Sequence, residues 1–269
     1  MHTLMVSRIC FSVLVVSSIL AQQPDMAALR AEFAPTGKLR AAINHGNPVL
    51  AVRDAKTSEL RGVTVDLSRE LGRRLGLPVE LVPFDAAGKV SAAAKTGVWD
   101  VAYLAIDPER AQDIDYSAPY VELEGTYLVP AGSKLRKVED ADQTGVRIAV
   151  SPKSAYDLFL SRSLKHAQIV RPGTTAESLQ LLAAHKLEAV AGIRTSLVTA
   201  SRTIPGSRVM RDRFMAIPQA AGIPKGRPQA ARFLREFIDG VKASGFVQAA
   251  LKRHGLTADD AIVPVAMGK

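Results

Sequence analysis

The amino-acid sequence predicts an α/β protein with two lobes. The order strand, helix, strand, helix, strand occurs in residues 38–106 and again in residues 147–193 of the 269-residue chain, and this alternation is typical of a sheet covered by helices. The segment between the two series, residues 121–130, is rich in β-forming residues rather than Gly and Ser. We therefore expect a stiff strand, not a floppy linker, between the lobes.

Each element of the first series has its own signal. Val63, Leu67, Leu71 and Leu75 recur at helical spacing, and Gly76 is a stop. Residues 100–106 form a nearly continuous apolar run, as expected of a buried parallel strand. The predicted elements, in chain order, are a short helix at 25–33, strands at 38–44 and 48–53, a helix at 63–76, a strand at 78–83, a helix at 89–96 and a strand at 100–106.

The second series repeats the pattern without a close sequence repeat. Its predicted elements are a strand at 147–150, a helix at 155–165, a strand at 168–171, a helix at 176–184 and a buried strand at 187–193. Residues 208–217 look extended. Residues 229–254 are helical in pattern, with a break near Ser244 and Gly245.

The N-terminal residues predict export. Arg8 precedes an apolar run from Ile9 to Leu20, and small residues follow near Ala21, which is typical of a secretory signal peptide covering residues 1–21. An uncleaved anchor is the alternative, although the run is shorter than the roughly 20 residues that a span needs. Cys10, the only cysteine, lies in this run, so the mature chain would have no disulfide and would suit the periplasm.

Composition narrows the possible partners. The chain carries 35 Lys and Arg against 26 Asp and Glu, a net charge of +9, but no block of five like charges occurs. Aromatic residues are only 5%, too few for a base-stacking surface, so we expect no nucleic-acid partner. Diffuse basicity suits a small anionic ligand, or simply solubility. No metal-ligand cluster, phosphate loop or catalytic triad pattern is present in the sequence, so no cofactor and no metal are predicted.

Three blocks carry a resemblance to a known family. They are Gly62 to Leu67 (GVTVDL), Trp99 to Val101 (WDV), and the stretch from Asp107 to Tyr120 (DPERAQDIDYSAPY). In order and spacing they resemble the bacterial extracellular solute-binding proteins of family 3, which serve polar amino acid uptake. The resemblance runs from about residue 37 to residue 254.

The resemblance implies a periplasmic-binding-protein-like fold of type II. Each lobe would be a βα sheet, and the lobes would close on a ligand. Lobe 1 would comprise residues 37–125 plus 215–269, and lobe 2 residues 131–212. Two crossing strands, at 123–130 and 210–218, would form the hinge.

The same resemblance implies a ligand-binding role for Arg110. The matching arginine of the family holds the carboxylate of an amino acid, and a planar guanidinium suits that bidentate task. A solvated arginine in a short helix is the alternative. On the same side, Asn44 and Asn47 either contact the ligand or cap turns. Tyr103 either supplies a stacking face or hydroxyl or belongs to the core.

The second lobe departs from the family pattern. In place of the family's Gly-Thr-Thr-like turn the chain has Ser151 to Ala155 (SPKSA), where Ser154 supplies a hydroxyl and Lys153 an extra cation. The aspartate that commonly binds the ligand's amino group is replaced by Ile193, and Arg194 follows. These departures disfavour a simple α-amino acid and make an anionic or poorly basic small molecule plausible, within the expected class of anionic or zwitterionic ligands.

The predicted function is the capture of a small carboxylate-bearing solute, an amino acid or related organic acid. The partner would be an inner-membrane ABC permease, and the protein is expected to be a monomer. One alternative is an enzyme on the same fold, similar to cyclohexadienyl dehydratases or lytic transglycosylases. Glu122, Glu124 and His45 are then the candidate acids and bases, although none lies in a catalytic motif. A second alternative is a ligand sensor that reports to a membrane receptor.

Overall fold

A computed structural model describes residues 25–265. The predicted signal peptide lies outside the described residues. Within residues 25–265, none of the helices combines the length and the apolar character needed to cross a membrane.

The first series of predicted elements is present. Helix α2 has all four predicted apolar residues fully buried, and it ends at Gly76, whose φ of 64° is the left-handed conformation that glycine adopts without strain. The predicted strand at 48–53 is largely wrong, because residues 46–50 form turns and only two residues pair. The elements are α1 (Met26–Phe33), β1 (Leu39–Asn44), β2 (Val52–Arg53), β3 (Leu60–Arg61), α2 (Val63–Leu75), β4 (Val79–Phe84), α3 (Ala87–Ala92) and β5 (Val101–Ala105).

The remaining elements follow the second predicted series with two differences. The strand after β5 is 16 residues long, much longer than predicted, and a helix that was not predicted follows the buried strand β9. The elements are β6 (Ile114–Val129), β7 (Arg147–Ala149), α4 (Ala155–Ser163), β8 (Gln168–Val170), α5 (Thr175–Ala183), β9 (Ala189–Ile193), α6 (Arg194–Ser201), β10 (Arg208–Val209), β11 (Met215–Pro224), α7 (Pro228–Ala243) and α8 (Phe246–Arg253).

The main sheet joins two parallel groups through a central antiparallel pair. Its strand order is β4-β1-β5-β11-β6-β9-β7-β8, with β10 added to β6. β4, β1 and β5 are mutually parallel, as are β8, β7 and β9. The long strands β6 and β11 run antiparallel between the groups, paired from Gly125 with Met215 to Ile114 with Pro224. The two groups are therefore connected through the sheet itself.

Separate hydrophobic clusters lie on the two sides of this central pair. One gathers side chains from α1, α2, β1, β5, α7 and α8, and another gathers side chains from β6, β7, α4 and β9. The C-terminal helices thus pack back onto the first series. This arrangement agrees with the predicted lobes, although the boundaries at 37–125 plus 215–269 and 131–212, and the hinge segments, remain predictions.

Candidate functional site

A cavity of about 170 Å³ lies where the carboxyl ends of both parallel groups meet. Open α/β sheets bind ligands at this end of their strands, because helix N-termini and loops converge there. Residues that follow β1, β4 and β5 form one wall, and residues that follow β7 and β9 form the other. The lining residues are Asn44, Gly46, Asn47, Asp85, Ala86, Ala87, Leu104, Ala105, Arg110, Ser151, Pro152, Ser154, Ala155, Tyr156, Thr175, Ile193, Ile217 and Gln219.

Arg110 lies at this cavity and is nearly buried, with 4% of its surface exposed. Its Nη1 donates to the carbonyl of Ala105 at 3.0 Å, and its Nη2 donates to the carbonyl of Lys153 at 2.9 Å. Its Nε is buried and has no hydrogen-bond partner among residues 25–265. Burial lowers the pKa of Arg110, but a guanidinium stays charged in proteins. A fixed cation with an unused donor therefore stands at the cavity.

The loop that carries Arg110 is held by Asp107. The Asp107 carboxylate accepts a hydrogen bond from the backbone N–H of Glu109 at 2.8 Å and another from Arg162 at 2.7 Å. Asp107 is itself buried. Because a buried carboxylate with two donors fixes the turn, the short 3₁₀ helix that begins at Arg110 is rigid at its start.

Asn44 and Asn47 both line the cavity and both stabilise turns. The side-chain oxygen of Asn44 accepts from the N–H of Gly46 at 3.1 Å, and that of Asn47 accepts from the N–H of Val49 at 3.3 Å. The turn role of both residues is thus confirmed, and neither side-chain NH₂ donates a hydrogen bond within residues 25–265, so their ligand contact stays a prediction. Gly46 is required by a close approach: a Cβ there would lie 2.1 Å from the carbonyl oxygen of Asp85.

Ser154 caps α4 and lines the opposite wall of the cavity. Its hydroxyl accepts a hydrogen bond from the N–H of Asp157 at 3.1 Å. The N-terminus of this nine-residue helix adds partial positive charge, which favours a ligand anion. The cavity thus has a full positive charge on one side and a helix N-terminus on the other.

Three of the predicted site residues do not line this cavity. The Tyr103 ring packs edge-on against Tyr120, with centroids 5.9 Å apart, and is buried inside the core beside α2. The Lys153 ammonium pairs with Glu109 at 3.0 Å. Arg194 binds the Glu124 carboxylate and donates to the carbonyls of Met210 and Arg211.

The backbone of Lys153 nevertheless contributes to the site, because its carbonyl accepts a hydrogen bond from Arg110. Its φ of 57° is unusual for a residue other than glycine, and its N–H donates to the Asp157 carboxylate at 2.7 Å. This conformation directs the Lys153 carbonyl to Arg110. A Cβ on the facing Gly88 would lie 2.6 Å from the Cβ of Lys153, so glycine is needed where the two walls touch.

The cavity also contains residues that the sequence did not single out. Asp85 follows β4 directly, and its position after a parallel strand is the signal that could have found it. The ammonium of Lys89 binds the Asp85 carboxylate at 2.7 Å and lowers its pKa. Gln219 lies on β11 opposite Ala105, and only the strand pairing reveals it. Tyr156 and Thr175 come from α4 and α5.

The charges of the two walls differ. Among the described residues that line the cavity, Arg110 and Asp85 are the charged ones, and Asp85 is already paired with Lys89. The second wall contributes Ile193 after β9, and burial raises the pKa of Tyr156, which keeps its phenol neutral.

Within residues 25–265, no three His, Cys, Asp or Glu side chains come together as metal ligands.

Comparisons with known proteins identify the same fold. The model of the family described as bacterial extracellular solute-binding proteins, family 3, matches residues 39–257. A mutant of ArgBP from T. maritima is 19% identical over 85% of this chain and 99% of that chain, with a TM-score of 0.72. No curated protein matches the chain.

Two further solved structures are similar. An amino acid ABC transporter substrate-binding protein from Streptococcus pneumoniae, bound to L-arginine, is 20% identical over 86% of this chain and 98% of that chain, with a TM-score of 0.70. An ancestral amino acid-binding protein, a precursor of cyclohexadienyl dehydratase, is 23% identical over 82% of this chain and 96% of that chain, with a TM-score of 0.69. The family match confirms the predicted family, and the structural likenesses confirm the two-lobed type II fold.

Proposed function

Because the chain belongs to the bacterial extracellular solute-binding proteins of family 3, we propose that it captures a small carboxylate-bearing solute in the periplasm. The solute, an amino acid or related organic acid, is then delivered to an ABC permease of the inner membrane. The observation that carries this proposal is the buried Arg110 at a cavity that faces the N-terminus of α4.

A carboxylate is the group that best fits these two walls. A guanidinium bonds carboxylates through parallel N–H groups, and Arg110 keeps an unused buried N–H. Ser154 and the first amides of α4 provide donors on the other side. Asn44 and Asn47 can add amide donors, so the cavity is rich in donors and poor in free acceptors.

The cavity offers little to a strongly basic ligand. A second ammonium or guanidinium would need its own carboxylate, because an unpaired charge is costly away from water. Asp85 is the acidic group among the described lining residues, and Lys89 already binds it. We therefore propose that the solute is anionic or zwitterionic rather than cationic, unlike the L-arginine bound in the Streptococcus pneumoniae structure.

Binding without turnover is favoured over an enzymatic role. General acid–base catalysis needs a group whose pKa lies near the working pH, whereas the pKa of Asp85 is lowered and that of Tyr156 is raised. Glu124 is engaged with Arg194 outside the cavity. Glu122 and His45 do not line the cavity either.

The test is a thermal-shift screen with matched pairs of acids and amides. Purified protein is heated with amino acids, dicarboxylates and aromatic acids, and with the corresponding amides, which have the same shape but lack the carboxylate. A ligand that binds only the folded protein raises the melting temperature by mass action. We expect shifts with acids and not with their amides. Equal shifts with acid and amide would refute recognition through the carboxylate.

A further inference from the structure

A second chamber opens beside the cavity on the side of β9. Its volume is about 320 Å³, larger than that of the first chamber. It lies between the carboxyl ends of β7 and β9 and the helices α5 and α6. The two chambers are adjacent, because Gly46, Ser151, Tyr156, Thr175 and Ile193 line both of them.

The lining of the second chamber differs in chemistry from that of the first. Among the described residues that line it, none carries a charge. Val190, Leu197 and Leu179 give it an apolar wall that continues into a hydrophobic cluster. The hydroxyl of Ser196 is buried there without a hydrogen-bond partner in residues 25–265. A charged group would have no partner in this chamber, but an apolar chain would replace water favourably.

Ile193 lies at the junction of the two chambers. It is partly buried and packs against the core. Because this side chain is apolar, the boundary between the head region near Arg110 and the second chamber carries no charge at Ile193. Apolar cavities of roughly 150 Å³ can hold a benzene ring, so the second chamber is large enough for a chain of several carbon atoms.

We infer that the solute is a carboxylate with an uncharged, largely apolar chain, whose carboxylate lies against Arg110 and whose chain occupies the second chamber. This inference rests on the proposed function and specifies the ligand class. Arg110 recognises the negative charge of the carboxylate. The chamber beyond Ile193 selects for the length and polarity of the chain.

The test uses calorimetry with two matched series of probes. One series is the straight-chain carboxylates from propanoate to octanoate, and the other is the 2-amino acids of the same chain lengths. Arginine and lysine are the probes with a charged chain. Each buried CH₂ should improve affinity by about fourfold until the chamber is filled. The comparison between the two series measures the contribution of the amino group to affinity.

Two variants fill the chamber without touching the head region. Ser196→Leu and Ala200→Phe both lie on the face of α6 that lines the second chamber. We expect each to remove the dependence of affinity on chain length while short probes bind as before. The matched control is Val198→Phe on the same helix, whose side chain is exposed and which should keep the chain-length dependence.

The possible outcomes distinguish a failure of the second-chamber inference from a failure of the proposed function. An affinity of the unmodified protein that does not depend on chain length would overturn the second-chamber inference alone, provided that carboxylates bind. Tighter binding of lysine or arginine than of uncharged amino acids of equal length would overturn it as well. If no probe of either series binds, the proposed function itself fails, and the inference falls with it.

Discussion

Arg110 is expected to serve both the ligand and the fold. Its guanidinium supplies hydrogen bonds to two backbone carbonyls, one from each wall of the cavity. Removal of one partner of a buried charge pair costs on the order of 2–5 kcal/mol, which corresponds to about 30-fold or more in affinity. We therefore expect Arg110→Ala to weaken binding of an identified carboxylate ligand by at least that factor. Arg110→Lys keeps the positive charge but loses the planar guanidinium that binds a carboxylate through two N–H groups, so it should also weaken binding.

The measurement is calorimetry on folded variants, together with urea denaturation. Because a buried and a partly buried carbonyl each lose a donor, Arg110→Ala should also lower the free energy of unfolding by about 1–3 kcal/mol. Arg232→Ala is the matched control, since Arg232 is exposed on α7 and its ion pair is with the exposed Glu236. An unchanged affinity in folded Arg110→Ala would show that the carboxylate binds elsewhere.

Asp100 illustrates a residue of the family pattern that stabilises the fold. Its carboxylate is fully buried and is bound by Arg40 at 2.8 Å and by Arg227 at 3.1 Å. Asp100→Asn would leave two partly buried arginines without their counter-ion, and breaking a buried ion pair typically costs about 3–5 kcal/mol. We expect a loss of that size in urea denaturation, with ligand affinity unchanged in the folded variant. Asp259→Asn, at an exposed position, should change the free energy of unfolding by less than about 0.5 kcal/mol.

At the scale of elements, α2 contributes a pH-dependent ion pair. The hydrogen bond from Arg73 and the nearby Arg74 lower the pKa of Glu70 from 4.5 to about 2. The pair therefore stabilises the fold above pH 4.5, and the contribution is lost as the pH falls toward 2. Because Arg73 is exposed, solvent screening limits the effect to on the order of 1 kcal/mol.

The corresponding variant is Glu70→Gln. Its free energy of unfolding should be lower than that of the unmodified protein at pH 7, and the difference should shrink between pH 5 and pH 3. Glu236→Gln, which also removes an ion pair on a helix, is the control and should show a smaller difference at pH 7. A difference for Glu70→Gln that is the same at pH 7 and pH 3 would contradict the assigned pKa.

Elements with a strong local signal were predicted from the sequence. The apolar run of β5 and the helical spacing in α2 each identify one element, because burial dictates the pattern. Strand β6 starts seven residues before the predicted 121–130 and includes Pro119, a residue that is uncommon inside strands. The structure accommodates it by shifts of register opposite Gln219 and Ala220, as β-bulges allow. Helix α6 (RTSLVTAS) was not predicted, because five of its eight residues are Thr, Ser or Val, which have lower helix propensity.

The candidate site was only partly predictable from the sequence, because some of its residues are positioned by partners that are distant in the chain. Arg110, Ser154, Asn44 and Asn47 lie close to strand ends, where the order of elements alone brings side chains together. By contrast, both faces of β5 are buried in hydrophobic clusters, so the strand pattern does not indicate whether Tyr103 faces the core or a ligand. The role of Arg194 depends on Glu124, which lies 70 residues away in the sequence. Such long-range partners leave no local pattern.

At the scale of the whole molecule, we predict a closing motion. The family fold has two lobes, and here the two walls of the cavity come from the two parallel groups of the sheet. Small-angle scattering should show a smaller radius of gyration with a saturating carboxylate ligand than without it. The Arg110→Ala variant under the same conditions is the control. An unchanged profile with a proven ligand would argue against closure at β6 and β11.

The contacts at the rim of the cavity have a kinetic consequence. Arg162 binds Asp107, Lys153 binds Glu109, and Arg110 reaches the Lys153 carbonyl, all on one side of the cavity. If the lobes separate there, these bonds break together with the contacts that the solute makes to both walls, and the opening step limits its release. Loss of one rim bond, as in Arg162→Ala, would then accelerate release from the closed form, whereas capture by the open form would keep its rate, so affinity would fall in proportion to the faster release.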